Sequence, residues 1–252
     1  MSLEASWRWE SRAKGYGISV EELKERTLAK IAPLVKKADI WIRVPPQKLN
    51  SILAAGRFVS LSESKKMGPG KTIGIAKYLP AREEEEERLF GIPVGKMPEK
   101  RPIYGYLSDD LNGNGSAFEE NGEQQVDTYG TVAIKLKPSA RKKTTFTVGD
   151  SLDINLGTIG NRTVPAFVDE PKAEVELGDI TDLEKPMKSI LELTRSGYTE
   201  AQIHGVDISD IDEIVFHEDV ADSILKRLER MQIPCRKIQR KNIGRPEKRG
   251  ER

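Results

Sequence analysis

Short runs of strand-forming residues, separated mostly by turns and irregular stretches, constrain the fold of this 252-residue chain most strongly. The runs lie at 39–44, 57–62, 102–107, 131–137, 144–148, 198–204 and 211–216. Helical patterns cluster before and after them instead of following each strand. A doubly wound fold needs regular alternation of strand and helix, so this order predicts an α+β domain with an antiparallel or mixed sheet.

Helices are predicted over 20–32, 46–55, 82–89, 184–195 and 219–231. Ser19 followed by Glu22 has the spacing of a capping box, and Pro33 is expected to end or kink the first helix. Gly56 is expected to end the second. The acidic run from Arg82 to Leu89 is interpreted as the solvated face of a helix.

Composition excludes several classes of protein. The 41 basic and 40 acidic residues nearly cancel, which argues against a strongly basic nucleic-acid-binding protein. Cys235 is the single cysteine, so neither an intrachain disulfide nor a multi-cysteine zinc site is expected. No apolar run approaches the ~20 residues of a membrane helix. A cytoplasmic protein is therefore expected.

The chain is expected to hold one domain over residues 19–235. Residues 1–18 show no clear period and are interpreted as a linker or flexible segment. Residues 236–252 carry eight Lys or Arg against two Glu, show no periodicity, and are interpreted as a basic disordered tail. Because a run of charge is more often solvated than bound, nucleic-acid binding by this tail is not expected.

No metal site is predicted. Asp110–Gly115 resembles the first half of a calcium loop, but Asn121 stands where the bidentate Glu is needed, so a Gly/Asn turn is the better interpretation. His204 and His217 lie thirteen residues apart without a ligand partner nearby in sequence. Both are interpreted as structural.

Arg43 is a charged residue inside the apolar strand 39–44. A guanidinium buried there needs a partner, because an unpaired buried charge is costly. Two partners are compatible with the pattern: one of the many acidic side chains, in a structural ion pair, or a diphosphate bound by the planar fork.

Ser60 and Ser62 share one side of the predicted strand 57–62. Two hydroxyls on one face of a strand suit hydrogen bonding to a ribose, or to a carboxylate that must be held in place. Serines are also common at strand ends, so the pair alone identifies no site.

Polar side chains alternate along the strand 198–204. Tyr198, Glu200, Gln202 and His204 fall on one face, directly after Gly197. Such a row is costly to bury without partners. It therefore predicts the lining of a cleft, or else a solvated edge.

These segments, taken in order, resemble a known family. Arg43, the series Leu49, Ile52, Leu53, Gly56, Phe58, Ser60 and Ser62, and the late strand with Glu200 are similar to the Arg–Ser–Glu class of ADP-ribosyltransferases. More narrowly, the segments 103–106, 136–138, 145–151 and 198–205 resemble a domain of uncharacterised bacterial and prophage proteins associated with phage head-morphogenesis proteins. The resemblance covers roughly residues 39–217.

The resemblance implies a split antiparallel or mixed β-core flanked by helices, with NAD bound as co-substrate in the cleft. The residues that would contact NAD are Arg43, Ser60, Ser62, Tyr104 and Tyr198. Arg43 would hold a phosphate, and Ser60 would support the nicotinamide ribose and the catalytic Glu. Glu200 would bond the ribose 2′-hydroxyl and stabilise the positive charge that develops as nicotinamide leaves.

The family pattern fits in two ways. Family members usually carry Glu or Gln two residues before the catalytic Glu, and here that position is Tyr198. Either Glu200 is catalytic, or Glu200 is the leading residue and Gln202 occupies the catalytic position, which would indicate a degenerate domain.

Two functions are therefore expected. The first is NAD-dependent mono-ADP-ribosyl transfer or NAD glycohydrolysis, related to phage or toxin biology, with an unidentified protein acceptor. The second is a non-catalytic phage or prophage protein that uses the same fold for assembly, with phage head proteins as partners. The resemblance thus implies a location in the cytoplasm of the host cell, with association with a virion left open.

Overall fold

The computed structural model describes residues 10, 13–64, 75–115, 119–120, 123–124, 129–148, 151, 166–167, 188–192 and 199–238. The α-helices are α1 (Val20–Lys37), α2 (Pro46–Ala55), α3 (Leu61–Ser64), α4 (Ile75–Phe90) and α5 (Asp222–Arg230). The strands are β1 (Asp39–Val44), β2 (Ile103–Ser108), β3 (Glu119–Glu120), β4 (Glu123–Gln124), β5 (Val132–Leu136), β6 (Thr144–Val148), β7 (Ala166–Phe167), β8 (Thr199–Ile203), β9 (Ile211–Phe216) and β10 (Cys235–Lys237). Short 3-10 helices lie at Pro98–Lys100, Pro138–Lys143, Ile190–Glu192 and Ile208–Asp210.

The main sheet has eight described strands in the order β10-β9-β5-β1-β2-β8-β6-β7. β10 runs parallel to β9, and the other described neighbours are antiparallel. Strands β3 and β4 form a separate two-stranded ribbon. The prediction of an α+β domain with a mixed sheet flanked by helices is confirmed.

The sheet divides into two halves between β1 and β2. Residues 39–41 of β1 pair with 106–108 of β2, while β1 continues to Val44 along β5 and β2 continues to Ile103 along β8. Gly105 lies at the point where the two strands part. A Cβ there would stand 2.4 Å from the Trp41 carbonyl oxygen, so only glycine permits this close approach.

The two faces of the sheet differ in chemistry. The side chains that we call the apolar face are Ile40, Ile42, Val44, Ile134, Phe146, Ile203, Ile214 and Phe216. They form one buried cluster with Leu23, Ile31 and Leu34 of α1, Leu49, Ile52 and Leu53 of α2, and Ile224 and Leu228 of α5. The strand registers place Arg43, Tyr104, Tyr106, Thr145, Thr147, Glu200 and Gln202 on the opposite side, which we call the polar face.

The early helices follow their sequence signals with one exception. The Ser19 hydroxyl accepts a hydrogen bond from the Glu22 backbone N–H at 3.1 Å, and Gly56 ends α2 with φ of 72°. Pro33 does not end α1, which continues to Lys37. Pro33 faces solvent while Ile31 and Leu34 are buried, so packing on the apolar face outweighs the lost backbone hydrogen bond.

The predicted strand over 57–62 is wrong. Only Arg57 makes a bridge, with Asp207, and Leu61–Ser64 forms α3. The Ser60 hydroxyl accepts a hydrogen bond from the Glu63 backbone N–H at 3.1 Å, so this serine starts a helical turn instead of extending a strand.

The later elements are mostly as predicted. Strands β5, β6, β8 and β9 and helix α5 lie within the expected ranges. The described part of the predicted helix 184–195 includes a 3-10 turn, Ile190–Glu192, and its remainder lies outside the described residues. No described helix has the length and hydropathy needed to cross a bilayer.

The predicted disordered tail begins too early. Cys235–Lys237 forms β10 beside β9, so the prediction is wrong for residues 236 and 237. Arg236 is held by Glu213 at 2.8 Å, and Lys237 pairs with Asp219. Residues 239–252 and 1–9 lie outside the described residues, so the predictions for those parts of the tail and linker stay predictions.

Candidate functional site

The candidate site is centred on Glu200, which β8 places on the polar face beside β2 and β6. The residue is 2% exposed. Its Oε1 accepts hydrogen bonds from the Ser151 hydroxyl and from Gln202 Nε2, the latter at 2.7 Å. Its Oε2 lies 3.7 Å from Arg82 Nη2. A hydroxyl, an amide and a guanidinium thus hold the carboxylate in one orientation.

Gln202 is fixed by two threonines of β6. Thr145 donates its hydroxyl proton to Gln202 Oε1 at 2.9 Å, and Gln202 Nε2 donates to the Thr147 hydroxyl at 2.9 Å. These partners assign the amide orientation, because the oxygen accepts from Thr145 while the nitrogen donates to Thr147 and Glu200. Gln202 therefore acts on Glu200 as an oriented donor.

Helix α4 supplies the cation of the site. Arg82 Nη1 donates to the Ser151 hydroxyl at 2.7 Å, and Nη2 donates to the Tyr78 hydroxyl at 3.1 Å. The guanidinium carbon lies 4.2 Å from the centroid of the Tyr104 ring, within the range of a cation–π contact. Arg82 is therefore bound to an aromatic ring, two hydroxyls and a carboxylate at once.

The interpretation of this helix as a solvated face is wrong. Arg82, Glu83, Glu85 and Glu86 of α4 are buried. Arg82 pairs with Glu200, and Glu83 and Glu86 pair with Arg101, so charges that the sequence places on one acidic run are neutralised by partners outside the helix.

A second buried ion pair adjoins the first. Glu86 accepts a hydrogen bond from the Tyr104 hydroxyl at 2.7 Å and forms a salt bridge with Arg101, whose Nη2 also donates to the Pro93 carbonyl at 2.7 Å. Burial raises the pKa of the Glu86 carboxyl, and Arg101 offsets part of that effect. Burial also raises the pKa of the Tyr104 hydroxyl well above its ordinary value of 10.0, so this phenol stays protonated and donates.

Arg43 lies on the other half of the sheet and is also buried. Its Nε donates to the Tyr106 hydroxyl at 3.1 Å, its Nη2 to the Gly113 carbonyl at 3.2 Å and its Nη1 to the Gly130 carbonyl at 3.4 Å. Tyr106 stands opposite Glu200 in the β2–β8 register, so it lies between the arginine and the carboxylate. The structure therefore places Arg43 and Glu200 on one face across the split, each in its own network.

The other predicted residues lie elsewhere. Ser60 donates its hydroxyl proton to the Pro98 carbonyl at 2.8 Å, and Ser62 is buried in α3. The hydroxyl observed on Glu200 is that of Ser151, which belongs to the quoted segment 145–151. Tyr198 lies outside the described residues.

Arg82 and Glu86 were missed by reasoning from the sequence, although a signal exists. Tyr78, Arg82 and Glu86 are spaced by four residues, which puts them on one face of a helix. An aromatic, a cation and an acid in that register mark a face that can dock on a polar surface. The many acidic residues around these three favoured the interpretation of a solvated helix instead.

The two histidines and the Gly/Asn loop have structural surroundings. His204 packs edge-on against Phe90 with ring centroids 4.9 Å apart, and burial lowers its pKa. His217 Nε2 lies 2.9 Å from the Asn112 carbonyl oxygen. Asp110 Oδ1 accepts backbone N–H bonds within its own loop, from Asn112 at 2.8 Å among others, so the turn interpretation is confirmed. The described residues contain no His, Cys, Asp and Glu group suited to a metal ion.

Comparisons with known proteins give related sequences from phages. No protein-family model matches the chain. The Gene 2 protein of Mycobacterium phage D29 is 26% identical over 239 residues, which cover 90% of this chain and 82% of that protein. The Gene 2 protein of Mycobacterium phage L5 is 29% identical over 195 residues, covering 73% and 66% respectively.

One solved structure, Thermosipho africanus DarTG in complex with ADP-ribose, matches with a TM-score of 0.42 and 14% identity. The match covers 78% of this chain and about half of the other, 49%. That similarity is too low to assign a fold or a ligand. The comparisons therefore show a chain similar in sequence to two mycobacteriophage Gene 2 proteins.

Proposed function

We propose that this protein binds NAD on the polar face and cleaves its nicotinamide–ribose bond, with Glu200 as the catalytic carboxylate. The observation that supports the proposal is the setting of Glu200. It is an acid on a strand, turned away from the apolar core and oriented by hydrogen-bond donors from Ser151 and Gln202. Replacing a whole buried ion pair such as Glu200–Arg82 by apolar side chains is often neutral or stabilising, so stability alone does not require these charges.

In the proposed reaction the bond between ribose C1′ and the nicotinamide nitrogen breaks. Nicotinamide leaves with the bonding electron pair and becomes neutral, and positive charge develops at C1′. The Glu200 carboxylate stabilises that charge electrostatically. A nucleophile of a protein acceptor, or water, then bonds to C1′ and loses its proton. The products are ADP-ribosylated acceptor, or free ADP-ribose, and nicotinamide.

The neighbours of Glu200 favour it over Gln202 as the acting group. The Gln202 amide already bonds Thr145, Thr147 and Glu200, so it serves as a positioning residue. Arg43, across the split, is the proposed phosphate-binding group. The Tyr104 ring offers a flat surface that already carries a planar cation at 4.2 Å.

The second candidate is a non-catalytic phage protein. Its supporting observation is that Glu200 is buried under α4 and paired with Arg82, as expected for a structural ion pair. Phage head proteins would then be the partners. In the first candidate the partner is an acceptor protein of the infected cell or of the phage, and the reaction takes place in the cytoplasm.

The test combines binding and turnover. Calorimetry with NAD and chromatographic detection of released nicotinamide are run on the wild type, Glu200→Gln and Glu213→Gln. Glu213 is a matched control, since it is a half-buried strand acid that pairs with Arg236 away from the site. We expect release by the wild type and the control, and a loss of about 10²- to 10³-fold in Glu200→Gln.

Two results would overturn the assignment. If the wild type neither binds NAD nor releases nicotinamide, the second candidate replaces the first. If Glu200→Gln releases nicotinamide as fast as the wild type, the catalytic role belongs to another residue.

A further inference from the structure

We propose that α4 is an autoinhibitory lid whose Arg82 occupies the cation niche of the site, and that it must withdraw before a substrate reaches Glu200. The niche is formed by the Tyr104 ring, the Ser151 hydroxyl and the Glu200 carboxylate. The identity of the substrate that displaces Arg82 rests on the proposed function.

The contacts of Arg82 are those of a bound ligand. Its side chain is 4% exposed, its guanidinium carbon lies 4.2 Å from the centroid of the Tyr104 ring, and its nitrogens contact Ser151 and Glu200. A guanidinium is a planar, delocalised cation, and so is the pyridinium ring of NAD. A flat aromatic face beside a carboxylate attracts both by the same physics. The niche therefore fits a planar cation, and the protein supplies one of its own.

The docked lid excludes any other occupant. Glu200 and Ser151 are each 2% exposed while Arg82 is in place. NAD therefore cannot contact the carboxylate in this arrangement. Catalysis at Glu200 requires that Arg82 leave.

The fold allows α4 to move without breaking the sheet. The described contacts of α4 with the polar face pass through side chains, mainly Arg82 and Glu86, whereas β2 and β8 are joined by backbone pairing. Gly91 follows the helix directly with φ of 67°, and because it has no Cβ it can adopt other backbone conformations at little steric cost. A hinge at Gly91 would swing α4 while the strands keep their register.

The energetics of the docked face suit a reversible contact. The electrostatic attraction within a buried ion pair roughly offsets the free-energy cost of removing its two charges from water, so the pair adds little net stability. The Arg82–Glu200 and Arg101–Glu86 pairs thus fix the position of α4 without making its docking irreversible.

The test measures exposure of the niche directly. Ser151→Cys, in a background with Cys235→Ser to remove the exposed native thiol, reports access by its rate of reaction with a small neutral methanethiosulfonate. The rate is compared with and without Arg82→Gln. Glu87→Gln is the matched control, because Glu87 is exposed on the same helix. We expect Arg82→Gln to raise the labelling rate ~10-fold by increasing the open population, and Glu87→Gln to leave it unchanged.

An unchanged labelling rate in a folded Arg82→Gln protein would overturn the proposal. If that variant does not fold, native-state hydrogen exchange of the wild type decides. The lid predicts that α4 amides exchange through an opening that leaves β2 and β8 protected. Equal protection of all three elements would overturn it.

These measurements contain no NAD, so their outcome is independent of the proposed reaction. A separate activity measurement tests the substrate. We expect Arg82→Gln to lower the KM for NAD severalfold, since the apparent affinity for NAD rises with the fraction of molecules in which α4 is withdrawn. If Arg82→Gln is labelled faster but no variant releases nicotinamide, the result supports the lid and overturns the proposed NAD reaction. Nicotinamide release without a change in the labelling rate would support the NAD reaction and overturn the lid.

Discussion

The two faces of the sheet are built from the same strands but hold the molecule together in different ways. On the apolar face, side chains such as Ile42, Ile134 and Ile203 pack with three helices in one cluster, and burial of each stabilises the fold. On the polar face, Glu200 and its neighbours are equally buried, but they are held by hydrogen bonds and ion pairs. The apolar face is therefore held together by packing, whereas the buried charges of the polar face are held by ion pairs and hydrogen bonds.

The largest expected effect comes from breaking a buried pair on the polar face. Arg101→Met leaves the Glu86 carboxylate without its buried cation, and we expect a loss of about 3–5 kcal/mol in the free energy of unfolding. Urea denaturation measures it. Adding Glu86→Gln removes the stranded charge while keeping an acceptor for Tyr104, so the double variant should recover most of the loss. A single variant within 1 kcal/mol of the wild type would contradict the pairing.

On the apolar face, Ile134→Ala is expected to cost about 3 kcal/mol, because it removes methyl groups from a fully buried site and leaves a cavity. Urea denaturation again gives the value. NAD binding per folded molecule should not change, since Ile134 points away from the polar face. A change in affinity at equal folded fraction would show that the two faces are not independent.

Helix α1 packs on the apolar face through Leu23, Ile31 and Leu34, and its N-terminal cap provides a smaller perturbation. Ser19→Ala removes the hydroxyl that accepts the Glu22 N–H, and we expect a loss of about 1 kcal/mol. Ser51→Ala is the matched control, because Ser51 is an exposed mid-helix serine whose hydroxyl bonds back to Gln47. An equal loss in both variants would assign the effect to serine removal in general.

The smallest expected effect is a pH dependence at the edge of the polar face. Burial lowers the pKa of His204 below its ordinary value of 6.5, so below that pH the unfolded chain binds more protons than the folded one. Its contribution to stability is full above pH 6.5 and is lost as pH falls through the lowered pKa. The difference between wild type and His204→Gln in urea titrations isolates it. A difference that does not vary with pH would contradict the assignment.

The sequence predicts the apolar face well because its signals are local. The strand-forming runs 39–44 and 131–137 and the Gly56 end of α2 each depend on a few adjacent residues. The row Glu200, Gln202 and His204 also follows from alternation alone. These elements are therefore found in the structure as predicted.

The polar network is not local, and the sequence does not reveal it. The partner of Glu200 in α4 is Arg82, more than a hundred positions earlier, and nothing in an acidic run distinguishes buried carboxylates from solvated ones. The Ser60 error has a similar origin. Its hydroxyl caps a helical turn, and the strand-like run around it gives no sign of that bond.

The most direct test of catalysis by Glu200 compares one variant on each face of the sheet in the same assay. Nicotinamide release from NAD is measured per folded molecule for the wild type, Glu200→Gln and Ile134→Val, with the folded fraction taken from urea denaturation. We expect Ile134→Val to retain the wild-type rate of nicotinamide release, whereas the rate of Glu200→Gln should fall by about 10²- to 10³-fold. No release by the wild type, or equal release by Glu200→Gln, would contradict this expectation.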